Sequence, residues 1–90
     1  MILDLNEFKN IAQVHEYLAE ELGFSDYYGA NLDALYDMLN EFVRPITIEI
    51  TGLENLNGQF AEDMDHMLDM FEYLQEENEG FHCLVDGCEL

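Results

Sequence analysis

Asp33, Tyr36, Asp37 and Asn40 stand at i, i+3, i+4 and i+7 in the middle of the chain. On a helix those four positions share one face. An ionised carboxylate only accepts hydrogen bonds, so two of them beside an aromatic ring suit charge-assisted bonds to arginine or lysine. The arrangement does little for the helix itself. Asp33 in the first turn gains roughly 0.3–1 kcal/mol from the helix dipole. Asp37 lies too far in to share that gain and repels Asp33 by about a few tenths of a kcal/mol. No basic residue lies within a turn of either. A solvated acidic face is the ordinary explanation of such a pattern in an acidic protein. The stretch just before it, Tyr27-Tyr28-Gly29-Ala30-Asn31, makes recognition the better one. Aromatic anchors are typical of interface hot spots, Gly29 lets the backbone turn tightly, and Asn31 is a good N-cap.

Catalytic chemistry has far less to work with. The three histidines, His15, His66 and His82, belong to no nucleophile or metal motif. His66 has Glu62 at i−4 and Asp69 at i+3, but so acidic a helix places carboxylates near any histidine. His15 follows the apolar Val14 and reads as a satisfied structural histidine. Met64, Met67 and Met70 read as core filler and flank rather than a soft-metal site. Cys83 and Cys88, four residues apart, make a poor metal motif and too sparse a framework for a secreted disulfide domain, so reduced thiols are expected. Nothing assembles an acid, a base and a nucleophile. The protein is expected not to be an enzyme and to hold no resident cofactor or metal; its acidic surface invites at most loose calcium or magnesium.

The elements that must position the acidic face follow from periodicity. Residues 1–5 form a short apolar run that predicts a buried strand. Asn10, with Gln13 three residues on, imitates a capping box. Ile11, Val14, Leu18 and Leu22 then mark a helix ending at Gly23. After the tyrosine loop, Leu32, Leu35, Leu39 and Phe42, with Met38 beside them, give the second helix its apolar face, and Arg44-Pro45 ends it. Ile46-Thr47-Ile48-Glu49-Ile50 alternates as a strand. Residues 53–57 predict a short helix. Phe60, Met64, Met67, Phe71 and Leu74, joined by Leu68, predict a long one terminated by Gly80. A last strand is expected over 81–85, followed by an Asp86-Gly87 turn and an acidic tail. Strands separated by helices make a single α/β domain over residues 1–90.

Residues 27–39, YYGANLDALYDML, resemble the signature of the barstar family, intracellular inhibitors of the secreted ribonuclease barnase. The resemblance extends more weakly over most of the chain. It implies a three-stranded parallel sheet packed by about four helices. It also implies a basic ribonuclease or toxin nuclease domain as partner, and an immunity role. On that reading Asp37 would insert deepest, among arginines of the target. Asp33 would meet another arginine at the rim, and Tyr27 would stack on a catalytic histidine. Gly29 would allow close backbone approach, Asn31 would cap the helix and offer polar contact, and Leu32, Tyr36 and Phe42 would pack around the charges, with Asn40 a further contact on the same helix face. Tyr36 and Phe42 stand where the best-known member has tryptophans, which bears on target choice. That member's last helix adds an acidic contact. Counting from Phe71 puts Tyr73 there, while two extra residues before Gly80 leave Glu72 or Glu76 as alternatives. The competing reading is an acidic adaptor that binds a basic protein other than a nuclease.

Charge bounds the partner. In 90 residues, 21 are acidic and two basic, a net charge of −19. That disfavours nucleic acid and anionic membranes and favours a cationic protein. No signal-peptide pattern or membrane-spanning run is visible, so a cytoplasmic protein, monomeric when free, is expected. The same charge repels itself in the folded state. Raising salt from low to moderate concentration is therefore expected to raise the melting temperature. A flat or falling melting temperature would refute that.

Overall fold

The computed structural model describes residues 1–42 and 44–90. Three strands come in the order expected: β1 (Ile2–Asp4), β2 (Ile46–Thr51) and β3 (Phe81–Val85). They lie side by side and parallel, with Ile2 opposite Glu49 and Ile48 opposite Cys83. Period-two alternation decides which side chains go inward. Leu3, Ile46, Ile48, Ile50, Phe81 and Cys83 are buried on one face, whereas Ile2, Thr47 and His82 look to solvent on the other.

The buried face is covered by α1 (Ile11–Leu22), α2 (Leu32–Asn40) and α3 (Gly58–Glu77). Each helix turns the predicted stripe inward: Val14 and Leu18, then Leu35 and Leu39, then Met64, Met67, Phe71 and Leu74. Phe71 meets Phe81 of β3 with ring centroids 5.5 Å apart, joining the longest helix to the sheet. Asn10 caps α1 by accepting from the Gln13 amide at 3.0 Å, and Gly23 closes it in the left-handed region at φ 70°. None of the helices described is long and apolar enough to cross a membrane.

The structure corrects the expected element count. The fourth helix, expected over 53–57, is a single 3-10 turn, Leu53–Asn55, and another such turn, Leu5–Glu7, follows β1. The sheet has a fourth strand, β4 (Cys88–Glu89), antiparallel to β3, with Val85 opposite Cys88. Asp86 and Gly87 both take positive φ, 51° and 84°. That is the two-residue hairpin turn that Asp-Gly favours, so the acidic tail folds back as an edge strand. The sheet is therefore mixed.

Two helix ends also move. α2 stops at Asn40 rather than at Arg44-Pro45, its last turn closed by the Glu41 amide on the Asp37 carbonyl at 3.1 Å. Glu41 caps an end where the dipole is already negative, and no basic residue lies in the last turn to extend the helix. Phe42 consequently lies beyond the helix, half-buried, with the Arg44 guanidinium 5.8 Å above its ring. α3 is ended by Asn78 rather than Gly80. The Asn78 side chain accepts from the Gly80 amide at 2.9 Å and donates to the Asn40 side chain at 3.3 Å, tying the ends of α2 and α3 together.

Asn78→Ala removes both bonds and leaves a partly buried Gly80 amide short of a partner. The expected cost is about 1–2 kcal/mol, read as a lower urea midpoint at unchanged slope. An unmoved midpoint would show that Asn78 does not hold this junction.

Candidate functional site

The acidic face of α2 is open. Asp33 and Asp37 are exposed, and the one ion pair among the described residues lies elsewhere, His82 Nδ1 to Glu89 Oε1 at 3.6 Å on the bare sheet face. Among the described residues neither aspartate has an ion-pair partner. Tyr36 leans toward α3 and meets Tyr73 with ring centroids 6.0 Å apart and planes inclined by 40°. Leu32, Asp33, Tyr36, Met70 and Tyr73 line a shallow cleft of about 440 Å³ between the two helices. Its floor and walls are apolar, its rim carries a carboxylate, and Tyr73 remains 55% exposed.

The loop before α2 is held at both ends. At its C-terminal end Asn31 caps the helix, accepting from the Ala34 amide at 2.8 Å while its Nδ2 donates to the Gly29 carbonyl at 3.3 Å. Gly29 was expected to supply the tight turn, but the residue in the left-handed region is Ala30, at φ 51°. Gly29 serves space instead. A Cβ there would lie 3.0 Å from Asn31 Nδ2 and 3.7 Å from Ala34 Cβ, pressing on the cap. At the N-terminal end Tyr28 turns inward and Tyr27 outward, the latter 96% exposed.

Tyr28 and His15 were not singled out together by the sequence. The Tyr28 hydroxyl and His15 Nδ1 share a hydrogen bond at 2.5 Å, and the Tyr28 ring packs against Phe24, centroids 5.0 Å apart. His15 is 4% exposed, the one buried residue of polar type among those described. Burial holds the His15 imidazole below its ordinary value and pushes the Tyr28 hydroxyl up to about 12. Both groups are therefore neutral at pH 7. Thirteen residues separate them, and no local pattern marks such a pair.

Of the expected contact residues, Leu32, Asp33, Tyr36 and Tyr73 come together at the cleft. Tyr27, Gly29 and Asn31 form the loop beside it, and Asp37 lies one turn beyond Asp33. Asn40 is drawn away into its bond with Asn78. Phe42 sits with Leu39, Arg44, Pro45 and Ile46 around a separate hollow. Glu76 is exposed one turn past Tyr73 on α3, outside the cleft lining. The described residues hold no group of three or more histidine, cysteine, aspartate or glutamate side chains placed to bind a metal. Cys83 is buried, its thiol pushed up to about 12 by burial, while Cys88 is exposed; the two are not bonded.

Fold and site together define a small acidic α/β domain that leaves one helix face and the loop before it exposed. The family model for barstar, the barnase inhibitor, matches residues 1–86, and the chain belongs to the barstar family. It is also similar to the putative ribonuclease inhibitor YrdF of Bacillus subtilis (strain 168), with 38% identity over 78 residues, 86% of each chain.

The His15 shift sets a pH dependence. Its folded value lies below the unfolded 6.5, so below that pH the unfolded chain takes up a proton that the folded state refuses. The stability tied to neutral His15 is fully present above about pH 6.5 and is lost as pH falls through the folded value. Denaturant unfolding at pH 7 and pH 5 is expected to show a smaller acid-side loss, or a larger gain, in His15→Gln than in the parent. Equal pH differences in both would contradict the assignment.

Proposed function

We propose that this protein inhibits a basic, barnase-type ribonuclease by docking α2 and the 27–31 loop into the nuclease's cationic active site, acting as a cytoplasmic monomer. A ribonuclease gathers lysine and arginine to hold phosphates and stabilise a charged transition state. Carboxylates placed where phosphates would lie exploit that same chemistry and exclude RNA. Membership of the barstar family supports a ribonuclease as the partner. The observation that carries the reading is the pair of exposed aspartates, Asp33 and Asp37, without an ion-pair partner among the described residues, beside a Tyr27 ring that is 96% exposed.

In this reading Asp37 enters deepest, and Tyr27 stacks on a nuclease histidine. The cleft of Asp33, Tyr36 and Tyr73 takes an arginine at the rim, its aliphatic stem on Leu32 and Met70 and its guanidinium against the tyrosine faces and the Asp33 carboxylate. Tyr73 brings an aromatic surface to that contact, and Glu76, one turn further along α3, adds a carboxylate beyond it. The net charge of −19 speeds encounter with a basic partner at low salt.

Equimolar protein is expected to abolish RNA cleavage by a barnase-type ribonuclease. Asp37→Ala should weaken binding by on the order of 2 kcal/mol or more, the scale of interface hot spots, for which barstar complexes are themselves a standard example. The circular dichroism of Asp37→Ala should remain that of the parent. An Asp37→Ala protein that inhibits equally well would displace the docking face. No inhibition by the parent protein would set aside this nuclease class in favour of another basic partner.

A further inference from the structure

We propose that Asn57 is a site of spontaneous covalent modification: attack by the Gly58 backbone nitrogen converts its side-chain amide to a carboxylate, and the protein gains one further negative charge with time. The proposal does not depend on the docking face. It assigns a chemical fate to the start of α3.

Three observations carry it. The chain has seven asparagines, and Asn57 is the one followed by glycine. The other six all commit their side chains. Asn10 and Asn31 cap helices, Asn6 and Asn55 bond each other, and Asn40 bonds Asn78. Asn57 stands at the N-cap of α3, yet it makes no capping bond and joins none of these pairs.

The attacking nitrogen is equally free. Gly58 is the first residue of α3, a position whose amide has no acceptor inside its own helix. Both residues are exposed to water. Gly58 takes φ 63°, and no atom lies within 4 Å of where a Cβ would stand, so no bulk shields the junction. Asn57 is extended, at φ −149° and ψ 169°, and must turn about ψ to bring Cγ to the nitrogen. Its unbonded side chain offers no resistance to that turn.

The fold also accommodates the product. α3 has no acidic residue in its first turn, so a carboxylate at its cap meets the positive end of the helix dipole. The cleft residue Tyr73 lies about 22 Å further along the helix, out of reach of the change.

Water is the only co-reactant. Solvent hydroxide takes the proton of the Gly58 amide, and the nitrogen attacks Asn57 Cγ. A C–N bond forms, the Cγ–Nδ2 bond breaks and the nitrogen leaves with a solvent proton as ammonia, closing a succinimide ring. Water then adds to either ring carbonyl and reopens the ring, giving an aspartyl or an isoaspartyl linkage. Nothing is oxidised or reduced. Asparagine is thermally labile for this reason wherever its neighbour leaves the path open.

The test incubates the purified protein at mildly alkaline and mildly acidic pH, followed by anion-exchange chromatography and peptide mapping. A single more acidic form should accumulate, faster at the higher pH in proportion to hydroxide. In heavy-oxygen water the peptide containing Asn57 should take up solvent oxygen. The rate should lie within about tenfold of that of a free peptide spanning residues 55–60, a difference of less than about 1.4 kcal/mol, because the fold holds neither reacting group. Asn57→Ser keeps a good cap and has no amide to lose, so it should form no acidic species. Three results would each overturn the proposal: conversion mapped to another asparagine, an acidic form that persists in Asn57→Ser, or a parent protein that stays unchanged while the free peptide converts.

Discussion

Charge imbalance is the constraint on which the rest depends. With two cations against 21 carboxylates, the protein cannot be held together by ion pairs, and the one described involves a histidine. Cohesion falls to an apolar core and to neutral hydrogen bonds, and neutral amides do most of the polar work. Asn10 and Asn31 cap helices, Asn78 closes α3 and reaches Asn40, and Asn55 bonds Asn6. Gln75 bridges the Cys83 amide and the Leu90 carbonyl, pinning β3 and the C-terminus to α3. None of these bonds weakens with salt. Asp33 and Asp37 are thereby left free of structural duty, and an exposed, unpaired carboxylate is ready to meet a cation from outside the protein.

Much of the architecture was legible in the sequence because one-sided burial leaves a strong periodic trace. The stripes Val14 and Leu18, Leu35 and Leu39, and Met64, Met67, Phe71 and Leu74 all face the sheet as their spacing requires. Boundaries were less legible, since ends are decided by side-chain hydrogen bonds to backbone groups that no periodicity encodes. Asn78 ended α3 two residues before the glycine that looked like the stop. Pro45 placed the end of α2 too late, because a proline sets the farthest limit of a helix and not its actual end. The Asp86-Gly87 turn was read, but a strand of only Cys88 and Glu89 is too short for an alternating pattern to declare itself.

At the site, the line of residues on α2 could be read from spacing, and its position beside the tyrosine loop from chain order. The cleft could not, because Met70 and Tyr73 arrive from a helix more than thirty positions away whose rotation is set by its own core face. Likewise the left-handed residue of the loop proved to be Ala30 and not its glycine neighbour. Composition points to glycine for such a conformation, yet here glycine is needed for the room its missing Cβ leaves beside Asn31.

The parallel register ties the acidic face to the order in which the chain is made. β1 finds its partner only in β2, Ile2 opposite Glu49, and β2 in turn pairs with β3 near the other end. Pairings between such distant residues close late, after loop entropy has been overcome. The acidic helix lies between the first two strands, so its exit from the ribosome precedes the sheet against which it is oriented. A nascent chain displaying residues 27–40 carries the right groups without their arrangement. That arrangement comes only when β2 and β3 have paired.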